Sequence, residues 1–251
     1  MDFGFSIKKQ GKKLSLNFGK KVECRKRYLS ELLKDRVILD LESAKELLER
    51  KGDLTIYEVY NLWKFQDVAR DFLENFGVMV DITLLRQGIF SLKKEGEAFC
   101  TYGHIHKENL GEVYVALKNG CYLLLSHRKT FNSYLIEIKE GYSFFIPPFF
   151  IHRLISGKKD CVVLNFVHEI AGHDYSVVKN KGFPFHIFYD KNKNLEFREN
   201  KKYPEVGLVF IKNIKKFDVL KLAKKEPEKL KEILSSWKES EVFDEIFHEF
   251  D

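Results

Sequence analysis

At 251 residues the chain has the length of one large domain, or of one domain with a small appendage, and it can bury a sizeable core without an oligomer. Its 43 basic and 37 acidic residues leave a formal charge of +6 spread over a densely charged surface, which argues against a nucleic-acid face; the clusters at 8–13 and 20–27 read as solvated surface of heat-adapted composition. Cys24, Cys100, Cys121 and Cys161 lack the spacing of a disulfide framework or thiolate metal knot, and no run approaches the roughly 18 apolar residues of a membrane helix, so a reduced, soluble, cytoplasmic protein is expected.

Residues 14–65 mix short β-like runs, at 37–41 and 55–62, with a helix predicted over 42–50. Ala44, Leu47 and Leu48 share one face of that helix, and Lys51-Gly52 ends it. A second helix is predicted over 67–76 from Val68, Phe72, Leu73 and Phe76, with Gly77 as its stop. From Val78 to about Phe188 short β-branched and aromatic runs are broken by turn signals at 118–120, 140–141, 147–148 and 156–158, the pattern of an antiparallel barrel or sandwich. A short strand at 206–211 follows. Pro227 then suits the first turn of a helix carrying Leu230, Ile233, Leu234 and Trp237, and Val242, Phe243, Ile246, Phe247 and Phe250 repeat the spacing in a last one. The chain divides into a barrel domain at 1–203 and a strand and helical tail at 204–251, the tail docking on the barrel or on a second subunit.

His104 and His106 are two apart on a predicted strand, so both imidazoles leave one face of the sheet and can reach one ion. Beyond the polar turn 107–111, Glu112 opens the next apolar run, and a hairpin there would return its carboxylate beside the imidazoles. Gly141, Pro147-Pro148 and His152 set a third histidine behind a rigid turn on a separate strand. Taken singly, a His-x-His is usually a surface or core pair and a lone Glu is usually solvated. Together, three imidazoles and a carboxylate make a mixed N/O donor set suited to Fe, Mn, Ni or Zn with positions left open.

The order and spacing of His104, His106, Glu112, Gly141, Pro147 and His152 resemble the two segments by which cupin barrels are recognised. The fold so implied is mainly β, a cupin (double-stranded β-helix or jelly-roll) barrel with short N-terminal helices and a C-terminal helical appendage. Within it, Gly103-His104-Ile105-His106, the run 112–120, Ile146-Pro147-Pro148, His152-Arg153 and above all Ala171-Gly172-His173-Asp174-Tyr175 resemble the archaeal cupin-type glucose-6-phosphate isomerases. Arg27, Leu29-Ser30 and the run 56–60 resemble that family's N-terminal strands, and the similarity covers roughly residues 14–203.

The resemblance implies reversible conversion of glucose 6-phosphate and fructose 6-phosphate at one divalent metal ion, Fe2+ foremost with Mn2+, Ni2+ or Zn2+ as alternatives, held by His104, His106, Glu112 and His152. Glu112 is then ligand, catalytic base or both. Thr83, Thr101 and Gly103 match residues that hold the phosphate, and Tyr114, His173 and Tyr175 match sugar-facing ones. A sugar phosphate as partner, no nucleic acid, no membrane and a homodimer complete the expectation. Three departures stand out: the 107–111 loop is one residue short, Val167 stands where the family has a tyrosine, and Phe149 and Ser156 replace Tyr and Asn. These remove hydroxyl and amide donors from the expected pocket. A barrel acting on another sugar phosphate or keto sugar, and a non-catalytic sugar-binding barrel, therefore stand beside the isomerase reading.

Overall fold

The computed structural model describes residues 2–11 and 13–236; the last helix expected at 242–250, and Trp237, lie outside them. Two sheets carry the fold. One runs Ser143–Ile146, Glu112–Lys118, Cys161–His168, Val78–Leu85, Thr55–Asn61 and Arg25–Tyr28; the other runs Phe150–Ile155, Cys121–His127, Ser133–Ile138 and Leu208–Ile211. Their inner faces meet in one core, where Tyr114, Ala116 and Val163 of the first sheet pack with Leu123, Leu125, Leu135 and Phe150 of the second. This is the mainly β cupin barrel that the motifs imply.

Side chains alternate across a strand, so Val113 and Val115 and, on the neighbouring strand, Val162, Leu164 and Phe166 leave the opposite face of the larger sheet. That outer face is covered in turn by the Asp67–Phe76 helix, which follows the sequence expectation with Gly77 in the left-handed region as its stop, and by the C-terminal helices Val219–Lys225 and Pro227–Ser235. Val219, Ala223, Leu230 and Leu234 supply the tail's contribution. The first of these tail helices was not legible beforehand; its signal is Asp218, whose side chain accepts from the Lys221 amide at 3.0 Å. Upstream of it, Leu208–Ile211 pairs parallel with Ser133–Ile138 and caps that sheet edge. Among the described residues no helix is long and apolar enough to cross a membrane.

Three local expectations are corrected. The 37–41 run is a buried loop rather than a strand, because Glu97 Oε2 takes the amides of Leu39 and Asp40 at 2.7 and 3.0 Å, and Asp40 then caps the Leu41–Lys51 helix by accepting from Ser43 at 3.1 Å. Leu29-Ser30 does not continue the Arg25–Tyr28 strand but opens a helix, Leu29–Lys34. The hairpin expected to carry Glu112 back to His106 does not form: Ile105–His106 pairs instead with His173–Asp174, while the strand of Glu112 pairs with Ser143–Ile146 and Cys161–His168.

Candidate metal centre and its pocket

The ligand-type side chains converge from three places in the barrel. His104 and His152 exchange backbone hydrogen bonds at 3.2 and 2.9 Å, which lays the first histidine against the strand of the third. His106 is aligned with His173 in the short Ile105–His106 pairing. Glu112 arrives across the barrel, at the first position of its strand and opposite Val167. One donor atom from each of His104, His106, Glu112 and His152 lies within 4.8 Å of every other.

Each donor is held in orientation. His106 Nδ1 sits 2.7 Å from the Leu110 carbonyl and His152 Nδ1 3.1 Å from that of Phe150, which turns both Nε2 atoms towards Glu112. Glu112 Oε2 is 3.1 Å from His152 Nε2 and 3.4 Å from His106 Nε2, while Oε1 accepts from Asn165 Nδ2 at 2.6 Å. Burial alone would raise the Glu112 carboxyl, but the imidazoles of His106 and His152 more than reverse it and hold the group ionised. Burial, then the neighbouring imidazoles of His152, His173 and His106, keep His104 neutral.

The buried Nε2 atoms of His104 and His106 have no hydrogen-bond partner among the described residues. An unsatisfied buried polar atom costs about 1–3 kcal/mol, and His106 Nε2, whose ring gives its Nδ1 proton to the Leu110 carbonyl, presents a lone pair to the equally electron-rich Glu112 carboxylate. A divalent cation satisfies both imidazoles and the carboxylate together, so the residues present fit a metal ion.

A cavity of about 160 Å3 opens onto this cluster. All six residues expected around a substrate, Thr83, Thr101, Gly103, Tyr114, His173 and Tyr175, line it with His104 and Glu112. Gly103 has φ of +87°, and a Cβ there would come 2.4 Å from the Phe183 ring, so only glycine fits directly before the first histidine. The Thr101 hydroxyl accepts from the Leu154 amide at 3.0 Å. Burial lowers His173 to about 4, leaving a neutral imidazole whose ring centre is 4.2 Å from that of His104. Burial also keeps the Tyr114 phenol protonated.

Sequence reasoning missed several lining residues. Arg25 and Arg27 belong to a cluster read as solvated surface, yet both line the pocket, and Arg27 lies 5.5 and 5.9 Å from the ring centres of Tyr102 and Tyr175. Asn61, Asp81, Asn165 and Tyr114 form one row across four neighbouring strands, all facing the cavity. Their signal was a polar residue inside an otherwise apolar run. Conversely, Phe149 and Ser156 are buried away from the lining, so the donors they lack are not subtracted from the cavity wall; Val167 is the departure that adjoins the cluster, through Glu112.

Residues 30–205 match the model of the family described as Glucose-6-phosphate isomerase (GPI). The chain belongs to the glucose-6-phosphate isomerase family. It is 31% identical to a glucose-6-phosphate isomerase of Thermococcus litoralis over 167 residues, which covers 66% of this chain and 80% of that one. Enzymes of the same name from Pyrococcus horikoshii and Pyrococcus furiosus are each 30% identical over 167 residues, covering 66% of this chain and 81% of theirs. Among solved structures, an oxalate oxidase in complex with glycolate aligns at a TM-score of 0.37 and 15% identity over 48% of this chain and 55% of that one. The family match ends at residue 205, just ahead of the strand that caps the smaller sheet and the helices that cover the larger one.

Proposed function

We propose that this member of the glucose-6-phosphate isomerase family interconverts glucose 6-phosphate and fructose 6-phosphate at a divalent metal ion held by His104, His106, Glu112 and His152. The observation that carries the reading is that the four donors converge beneath the same cavity that Thr83, Thr101, Gly103, Tyr114, His173 and Tyr175 line. The bound ion, iron in our reading with manganese, nickel or zinc as alternatives, supplies polarisation of the oxygens at C1 and C2 of the open-chain sugar.

The protein's own groups divide the remaining work. Glu112 is the sole carboxylate of the donor cluster, and its ionised form accepts the proton from one sugar carbon and returns it to the other through an enediol. A hydride shift between the carbons would leave Glu112 only a ligand, and incorporation of solvent deuterium into product separates the two routes. The hydroxyls of Thr83 and Thr101 and the amide of Gly103 hold the phosphate oxygens, with the guanidinium groups of Arg25 and Arg27 adding charge to the same cavity. The neutral His173 imidazole and the phenols of Tyr114 and Tyr175 orient sugar hydroxyls.

The test is a coupled assay for glucose 6-phosphate formation from fructose 6-phosphate, on protein stripped by chelator and reloaded separately with iron, manganese, nickel and zinc. Metal-dependent turnover is expected; bound metal without turnover overturns the reading. His104→Ala should lose metal and turnover together while the circular dichroism melt persists. The position of Val167 opposite Glu112, where the family has a tyrosine, favours a second reading, another sugar phosphate as substrate, which a substrate panel decides. We propose a homodimer, which light scattering on a dilution series checks.

A further inference from the structure

Beside the metal pocket lies a second cavity of about 560 Å3, larger than the 160 Å3 of the pocket itself, and the two share Arg25 and Asn61 as a common wall. Its charged lining is Lys20, Lys21, Arg25 and Lys64 against one carboxylate, Glu23. None of these four cations forms an ion pair among the described residues, whereas Arg27, on the strand of Arg25, and Arg86, directly after the Val78–Leu85 strand, are tied to Glu31 and to Glu58 and Asp160.

The walls are anchored. Lys20 Nζ donates to the Phe65 carbonyl at 3.1 Å, which ties the segment before the Arg25–Tyr28 strand to the turn after the Thr55–Asn61 strand. Lys64 Nζ lies 5.1 Å over the Trp63 ring. Two separate chain segments thus bring four positive groups and one carboxylate to one concavity, an excess of positive charge that attracts an anion.

The ligand chemistry follows from the donors. A guanidinium offers a flat, forked pair of N–H groups and lysines act as point charges, a combination suited to a phosphate dianion. Because Arg25 and Asn61 face both cavities, an anion in the second one is within reach of a molecule that already occupies the first. We infer that Lys20, Lys21, Arg25 and Lys64 form a second phosphate subsite, and that a sugar carrying two phosphate groups bridges it and the metal pocket as a competitive ligand. The inference rests on the proposed sugar-phosphate function. Fructose 1,6-bisphosphate is the probe: its C1 oxygen is esterified, so it cannot become the aldose and can only compete.

The experiment measures inhibition of fructose 6-phosphate turnover by fructose 1,6-bisphosphate, and separately by inorganic phosphate, for the metal-loaded full chain and for Lys21→Ala/Lys64→Ala. Competitive inhibition that weakens about tenfold in the double variant, the loss of one or two charge-assisted contacts, with KM for fructose 6-phosphate held within about twofold, is expected. Equal inhibition of the two proteins overturns the subsite. Inhibition by the bisphosphate that is not competitive with fructose 6-phosphate overturns the bridging, since the second cavity then holds a separate anion. If neither protein turns over fructose 6-phosphate, the isomerase reading has failed on its own, and calorimetry with the bisphosphate decides the subsite: about tenfold weaker binding to the variant supports it, and equal affinity overturns it.

Discussion

Asn165 donates its side-chain amide to Glu112 Oε1 at 2.6 Å, which commits one carboxylate oxygen to the protein and leaves Oε2 facing His106 and His152. The bond comes from the neighbouring Cys161–His168 strand and helps to fix the carboxylate plane. Asn165→Ala should weaken metal binding by about 10–100-fold, the usual effect of removing an outer hydrogen bond to a ligand, with the barrel still folded. A competition titration against a chromogenic chelator measures it, and an unchanged dissociation constant would mean that the histidines alone orient the site.

The C-terminal helix is coupled to the same ligand from outside. Gly111 donates its amide to the Leu234 carbonyl at 2.8 Å, directly before Glu112, and Leu230 is fully buried against the outer face of the sheet. Leu230→Ala should cost about 2–5 kcal/mol in urea unfolding, as for other buried leucines cut to alanine. Gly111→Ala should lower metal affinity as well as stability, because its Cβ would meet the Phe145 ring at 2.1 Å and push on the backbone next to Glu112. Loss of neither would show that the tail rests on the sheet without load.

Asp81 carries a cost at neutral pH. Burial raises its carboxyl to about 6, against the help of Asn61 Nδ2 at 2.8 Å. The folded state therefore holds a proton that the unfolded chain releases, so this contribution to stability is present below about 4 and lost as pH rises through about 6. Asp81→Asn keeps the shape and an acceptor for Asn61, and should stabilise the protein at pH 8 by about 1–3 kcal/mol with the gain shrinking towards pH 4. Melting curves across that range check the sign; a stability loss at pH 8 would contradict it.

The acid limb should come from Glu97 and His186, both buried. Burial would raise Glu97, but His186, Arg153 and the Asp40 amide lower it; burial keeps His186 neutral, its Nδ1 2.5 Å from Glu97 Oε1. A lowered carboxyl stabilises above its unfolded value of about 4.5 and loses that as pH falls through the folded one, and a lowered histidine stabilises above about 6.5 and loses it likewise below. Stability should thus fall on acidification in two stages beginning near these values. Glu97→Gln should remove the lower stage and lower stability at pH 7, because it takes the carboxylate away from His186 Nδ1 and from the field around the fully buried Arg153. Denaturant midpoints from pH 4 to 8 read both effects.

Some of this was legible because the signal is local. The Asp67–Phe76 helix shows its amphipathic spacing and its glycine stop, and His104 and His106 advertise a shared face by their separation. The 37–41 loop was misread because the amides of Leu39 and Asp40 are taken by Glu97, a residue 57 positions beyond Asp40, and nothing in the run itself announces that partner. Arg25 and Arg27 were hidden for the opposite reason, since flanking lysines made them look like solvent-facing charge.

By itself the sequence determined the kind of barrel and which four side chains have metal-ligand chemistry, because motif spacing and residue type survive without coordinates. Tertiary structure alone decided how Glu112 reaches the histidines, which pocket wall the row of Asn61, Asp81, Asn165 and Tyr114 forms, and where the tail presses. The physical reason is that both faces of these strands are buried, so the two-residue alternation that separates inside from outside is masked by apolar residues on each side, and only the register between distant strands restores it.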